Sequence, residues 1–196
     1  MGVHNSEKIG QDFTTVLRGQ KFNHKDAAKR PEELECDIHQ VKVKGEDWTI
    51  LVGLLDGLPY EIIGGRSSKI EIPPEYTKGM ITKRKNKTVP NRYDLKINGF
   101  KFKDAVSIFD NPDYSVLTRM ASLSLRHGAK PSFLAEQLNK DKDASFSSFA
   151  KVLARVLKKY IADGTQTSGM CEKCNNILTY KDGCVICLEC GWSKCG

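Results

Sequence analysis

Six of the seven cysteines in this 196-residue chain fall within its last 26 residues, and only Cys36 lies elsewhere. A secreted domain stapled by disulfides spreads its cysteines through the fold. A terminal cluster instead marks a small module set apart from the main core, open to metal binding, thiol–disulfide chemistry, or both. The tail carries Cys171-x-x-Cys174, then Cys184-x-x-Cys187-x-x-Cys190, then Cys195. Two Cys-x-x-Cys knuckles joined by a short hairpin form a zinc ribbon. Four thiolates fill the Zn²⁺ shell, and the metal supplies folding energy that so short a segment lacks.

A structural zinc site takes four ligands, so two registers are open. Cys171 and Cys174 belong to both. The second pair is Cys187 and Cys190, with Gly191 after the last ligand and Cys184 and Cys195 left over. Alternatively it is Cys184 and Cys187, leaving Cys190 and Cys195 as a Cys-x4-Cys pair. Either spare pair reads as redox-active. An exposed thiol without a use is a liability, whereas two thiols on a flexible tail suit exchange with two successive partners.

The rest of the chain has the composition of a globular domain, 39% hydrophobic and 28% charged, which excludes collagen, coiled coil and wholesale disorder. No apolar run approaches the ~18 residues of a membrane span, and no signal segment opens the chain. The expectation is a soluble, cytoplasmic protein with no membrane partner. A net charge of +7 suits nucleic acid, nucleotides or an acidic protein surface without choosing among them.

The pattern predicts an α+β fold, an antiparallel sheet covered by about three helices, with the zinc ribbon appended. Residues 1–30 read as an N-terminal arm, 31–164 as the α+β domain, 165–170 as a polar tether and 171–196 as the cysteine module. Strand periodicity begins at Asp37, and Asp56-Gly57 joins two apolar strands as a hairpin. A further strand is expected from Lys69 to Ile72. Lys78, Lys83, Arg84, Lys85 and Lys87 make a basic stretch, and a second hairpin turns at Asn98-Gly99. This region reads as a solvated edge whose lysines discourage pairing between molecules, with a polyanion-binding face as the alternative. Helices follow: Tyr114 to His127, one beginning at Pro131, and one from about Ser145 to Asp163, after a linker at Lys140–Asp143. His39 and His127 stand without an acid or nucleophile at a telling spacing and read as structural.

The segment Gly183-Cys-x-x-Cys-x-x-Cys-Gly-x-Ser-Lys-Cys195 resembles the C-terminal cysteine-rich tail of adenosylcobalamin-dependent (class II) ribonucleotide reductases. Lys29–Leu34, Val52–Glu61 and Leu117–Arg126 resemble the domain that precedes that tail, so the likeness covers residues 29–196. The resemblance implies a separately encoded small subunit or fragment with no complete active site of its own. It implies partners too: a catalytic reductase chain, which alone would carry adenosylcobalamin, and a thioredoxin- or glutaredoxin-type reductant. The expected function is an electron relay to the catalytic disulfide in deoxyribonucleotide synthesis. By the same resemblance Cys190 and Cys195 are the redox pair, with Cys184 as the alternative member, and Cys171, Cys174, Cys184 and Cys187 hold zinc. The rival reading is a zinc-ribbon nucleic-acid-binding protein that grips phosphates through its basic hairpin.

Overall fold

The computed structural model describes residues 27–68, 71–84, 92–109, 111–140, 144–145 and 147–195. The expected arm over residues 1–26, the start of the expected strand at Lys69–Ile70, Lys85 and Lys87, and the linker at 141–143 lie outside them. Six antiparallel strands form the main sheet: β1 (Glu33–Val43), β2 (Glu46–Leu55), β3 (Leu58–Arg66), β4 (Lys78–Lys83), β5 (Tyr93–Ile97) and β6 (Phe100–Phe102). Their order is β3-β2-β1-β4-β5-β6. The two hairpin turns come where their residues demand them. Asp56 and Gly57 both take positive φ (52° and 75°), and so do Asn98 and Gly99 (44° and 84°).

β4 corrects the expectation that placed a strand at Lys69–Ile72 and left Lys78–Lys83 as a basic stretch. Its end lysines conceal a short strand whose Ile81 is fully buried. It pairs with β1 on one side, Leu34 opposite Ile81, and with β5 on the other. Glu71 and Ile72 are not in a strand, although Ile72 is buried in the core beneath.

Both faces of β2 are covered. Trp48, Ile50 and Val52 face a core completed by Ile62 of β3 and by the helices α2 (Pro112–Arg126), α3 (Pro131–Asn139) and α4 (Phe149–Lys158). Leu51 faces the opposite core with Cys36, Ile38, Ile63, Ile81 and Leu95, closed by the one-turn α1 (Ala105–Ile108) and Phe109. The first core stacks Trp48 on Phe149, ring centroids 5.5 Å apart. Asn111 caps α2 by accepting a hydrogen bond from the Asp113 amide at 2.8 Å, and Pro112 and Pro131 open their helices. α4 is shorter than expected, ending at Lys158 in turns that carry Tyr160 and Ile161 inward. No helix among the described residues is long and apolar enough to cross a membrane.

The last four strands form a second antiparallel sheet, β10-β9-β8-β7. They are β7 (Gln166–Met170), β8 (Ile177–Lys181), β9 (Cys184–Ile186) and β10 (Ser193–Lys194). The segment expected to be a tether is therefore largely strand. Gln166 pairs with Thr179 and Met170 with Ile177. This ribbon is docked on the helices. Tyr180 of β8 is buried in the first core, the Asp182 amide donates to Asp163 Oδ1 at 2.8 Å, and Ser168 donates to the Glu136 carboxylate through its amide and its hydroxyl.

Candidate metal centre and disulfide

The ribbon contains two turns of the same construction. In the first, the Cys171 amide donates to the Asn176 carbonyl at 2.8 Å and the Asn175 amide to the Cys171 carbonyl at 2.8 Å. In the second, the Cys187 amide donates to the Trp192 carbonyl at 2.7 Å and the Gly191 amide to the Cys187 carbonyl at 3.0 Å. Each turn needs a left-handed residue directly after its second cysteine: Asn175 at φ 58° and Gly191 at φ 71°. Asparagine and glycine are the residues that adopt this conformation readily.

The four cysteines of these turns face one another. The Sγ atoms of Cys171, Cys174, Cys187 and Cys190 all lie within 4.8 Å of each other. Cys174 and Cys187 are 3.3 Å apart, and Cys171 and Cys190 3.5 Å. A tetrahedral site with Zn–S bonds of ~2.3 Å has sulfur–sulfur edges of about 3.8 Å, so the donor set and its spacing fit zinc. Asn176 Nδ2 donates to Cys174 Sγ at 3.6 Å, as a neighbour that orients a thiolate ligand would.

This grouping is the alternative register, with Cys187 and Cys190 as the second pair, rather than the one the resemblance favours. Cys184 does not join Cys171, Cys174 and Cys187; Cys190 does. The reason lies one residue further on. A knuckle ending at Cys187 would put Leu188 in the left-handed position, which costs about 1–2 kcal/mol for an ordinary side chain. A knuckle ending at Cys190 puts Gly191 there. Glycine after the second cysteine was the signal in the sequence that separates the two registers.

Two of the four thiols are shifted in opposite directions by their packing. Burial pushes Cys171 up, but hydrogen bonds from the Cys174 and Lys173 amides and from neighbouring thiols outweigh it and bring Cys171 down to about 7. The Trp192 amide would lower Cys190, yet burial and the thiols of Cys171, Cys174 and Cys187 hold it up at about 12. A metal cation among four thiolates would offset their mutual repulsion.

With that register the spare cysteines are the alternative pair, Cys184 and Cys195. Cys190 lies in the tetrad, and Cys195 forms a disulfide with Cys184, their Cα atoms 4.5 Å apart. The pairing follows from strand register. Ser193 lies opposite Ile186 and Lys194 opposite Val185, so the next pair across the ribbon is Cys195 and Cys184. Cys195 is exposed and Cys184 half-buried. The disulfide closes the base of the hairpin that carries Cys187 and Cys190. Cys36 stands apart on β1, and burial, with the Asp37 charge second, pushes its thiol up to about 12. That makes it an inert core residue.

Buried polar groups secure the main domain. Glu61, 3% exposed on β3, is gripped by Arg30 at 2.8 Å and by Arg126 at 2.6 Å. His39 Nε2 lies 2.6 Å from the Tyr160 hydroxyl, which donates to Asp37 Oδ2 at 2.8 Å, tying the end of α4 to β1. Four cations in and beside the basic region, Arg84, Arg92, Lys96 and Lys101, meet carboxylates. Lys96 meets Glu33 at 2.7 Å, Arg84 and Lys101 both meet Asp94, at 2.6 and 3.0 Å, and Arg92 pairs with Asp104. This pairing removes part of the positive field that a phosphate-gripping face needs.

Residues 34–162, about two thirds of the chain, match the family described as NrdJ homologue C-terminal domain. The match starts in β1 and ends just after α4, so it covers the two-core domain. The chain belongs to this family. NrdJ is the class II, B12-dependent ribonucleotide reductase, and membership associates the chain with that enzyme and implies a catalytic reductase chain as its partner. Neither a curated protein nor a solved structure matches the chain. The cysteine ribbon of this NrdJ-homologue domain lies beyond the matched residues, so its chemistry rests on the geometry above.

Proposed function

We propose that this chain acts as the electron-relay part of a class II ribonucleotide reductase, with Cys184 and Cys195 as the exchanging pair. The observation that carries the reading is the solvent-facing Cys195 joined to Cys184 on a ribbon fixed to an NrdJ-homologue domain. A protein dithiol reduces this disulfide, and the resulting pair reduces the disulfide left in the catalytic chain after each turnover. Each exchange moves two electrons and two protons, and the last oxidised species is the donor's own disulfide. Cys171, Cys174, Cys187 and Cys190 hold Zn²⁺, which has no redox chemistry of its own and serves to shape the hairpin.

Two features change how the relay works. First, β7 occupies the expected tether, so the disulfide is presented on a docked platform rather than swung on a flexible link. Second, adenosylcobalamin belongs to the catalytic partner.

The test is donor-driven, multiple-turnover ribonucleotide reduction by the matching catalytic chain. This protein should permit turnovers beyond the first, and its Cys195→Ser variant should not, while binding zinc as before. Undiminished turnover with Cys195→Ser would overturn the relay.

A further inference from the structure

We propose that the N-terminal segment over residues 9–17 lies along an exposed apolar stripe on α2, as an antiparallel helix that straps α2 from outside. The inference concerns the main domain and is independent of the relay reading.

The inner side of α2 is buried through Thr118, Ala121, Ser122 and Leu125, and the Ser122 hydroxyl accepts from the Ile62 amide of β3 at 2.8 Å. The outer side carries Val116, Met120 and Leu123, which are 50%, 57% and 48% exposed. Their spacing of four and then three residues puts them in one narrow line along the helix, with Arg119 on its flank. Three large apolar side chains in such a line are the pattern that a second helix covers.

The described chain begins beside this stripe. Its first residue is Ala27, and the Ala28 carbonyl accepts a hydrogen bond from the Tyr60 hydroxyl at 2.5 Å. The Tyr60 ring lies 5.0 Å from the guanidinium carbon of Arg126, the last residue of α2. Residues 1–26 therefore lead away from the C-terminal end of α2. The stretch from Leu17 to Ala27 spans up to about 33 Å when extended, and α2, with 15 residues, is about 22 Å long, so the whole stripe is within reach. The segment carries a matching pattern. Ile9, Phe13 and Val16 repeat the four-and-three spacing, Leu17 widens the apolar face, and Asp12 takes the place that Arg119 holds on α2. A two-fold axis relates two antiparallel helices, so equivalent flank positions meet and Asp12 faces Arg119. Ser6 and Gly19 bracket the segment with residue types that start and stop helices. So short a helix, with Gly10 inside it, is marginal alone and needs the surface in order to form. Its tether holds it at an effective concentration on the order of millimolar, so a weak affinity is enough.

The experiment is amide hydrogen exchange on the full, zinc-loaded chain, read by mass spectrometry. The amides of residues 9–17 should exchange about ten-fold more slowly than in a synthetic peptide of residues 1–26. Met120→Glu alters an exposed position, so it should keep the fold and return exchange to the rate of the peptide. Phe13→Glu changes nothing in the described domain and should do the same. Arg119→Asp should reduce the protection about two-fold, and adding Asp12→Arg should restore it. Equal exchange in the full chain and the peptide would overturn the strap. Protection that survives Met120→Glu would overturn it too, because the segment would then sit elsewhere. Two other results would overturn it by naming a different occupant. One is a dimer that Met120→Glu dissociates while residues 9–17 exchange freely. The other is an α2 stripe that becomes protected only when the catalytic reductase chain is added.

Discussion

Arg126, the last residue of α2, donates its Nη2 hydrogen to Glu61 Oε1 across 2.6 Å, and that carboxylate sits inside the molecule on β3. Arg30 takes the other oxygen at 2.8 Å, so one buried negative charge joins a helix end, a strand and the chain leading into β1. Removing one member of such a group strands its partners in a poorly solvating interior. Glu61→Ala should therefore destabilise the protein by about 3–5 kcal/mol, read from the midpoint of urea unfolding. Glu61→Ala combined with Arg126→Met should recover part of that loss. If the double variant is no more stable than the single one, the guanidinium is not the stranded charge.

Metal content separates the two cysteine groups. Serine at Cys171, Cys174, Cys187 or Cys190 should abolish stoichiometric zinc after dialysis, whereas serine at Cys184 or Cys195 should leave one zinc per chain. Gly191→Val should weaken binding although it removes no ligand, because φ 71° is strained for a β-branched side chain. Atomic absorption on the purified variants decides it. Zinc loss on Cys184→Ser would restore the other register.

Zinc and the disulfide should each strengthen the other. The 11-residue separation between Cys184 and Cys195 encloses Cys187 and Cys190, so either closure lowers the entropy cost of the second. Stripping the zinc should make the disulfide easier to reduce, by about ten-fold in its equilibrium with dithiothreitol. Reduction should in turn weaken zinc binding by the same factor. A redox titration that is identical with and without chelator would show that the two closures are independent.

His39 sets a pH dependence. Burial first, and the Lys159 charge second, lower its pKa from 6.5 to about 4, against the opposing pull of Asp37. The unfolded chain takes up a proton as pH falls through ~6.5, while the folded one does so only near pH 4, so the folded state is full-strength above this window and weakens within it. The loss across the window should be about 2 kcal/mol, allowing for the solvent that reaches the ring. His39→Gln keeps a donor for Tyr160 without titrating, and should flatten the melting temperature between pH 6.5 and 4 relative to wild type.

The elements that the sequence made legible are those whose cause is local. Asp56-Gly57 and Asn98-Gly99 announce their turns through the backbone angles they tolerate, and Pro112 and Pro131 mark helix starts. β4 and β7 were missed because their cause is not local. Lys78–Lys83 has a single core residue, Ile81, and becomes a strand because β1 and β5 offer edges on both sides. Gln166–Met170 has no apolar alternation along its Gln-Thr-Ser-Gly stretch, and it is held by β8 and by Glu136. At the site, a four-cysteine metal-binding module was plain from the spacing, but the register depended on whether Gly191 or Leu188 follows the last ligand.

The ribbon's anchorage by Tyr180, Asp163 and Glu136 has a consequence for the proteins that would exchange electrons with it. Sulfur displacement requires the attacking atom to approach along the line of the bond being broken, here from the Cys195 side. A disulfide that is held still cannot turn to meet an approaching thiol. Both the donor and the catalytic chain would then have to carry their cysteines on a convex tip, or open a cleft wide enough to admit this edge of the ribbon. On the proposed relay, the surface of this chain would in that sense constrain the shape of both partners.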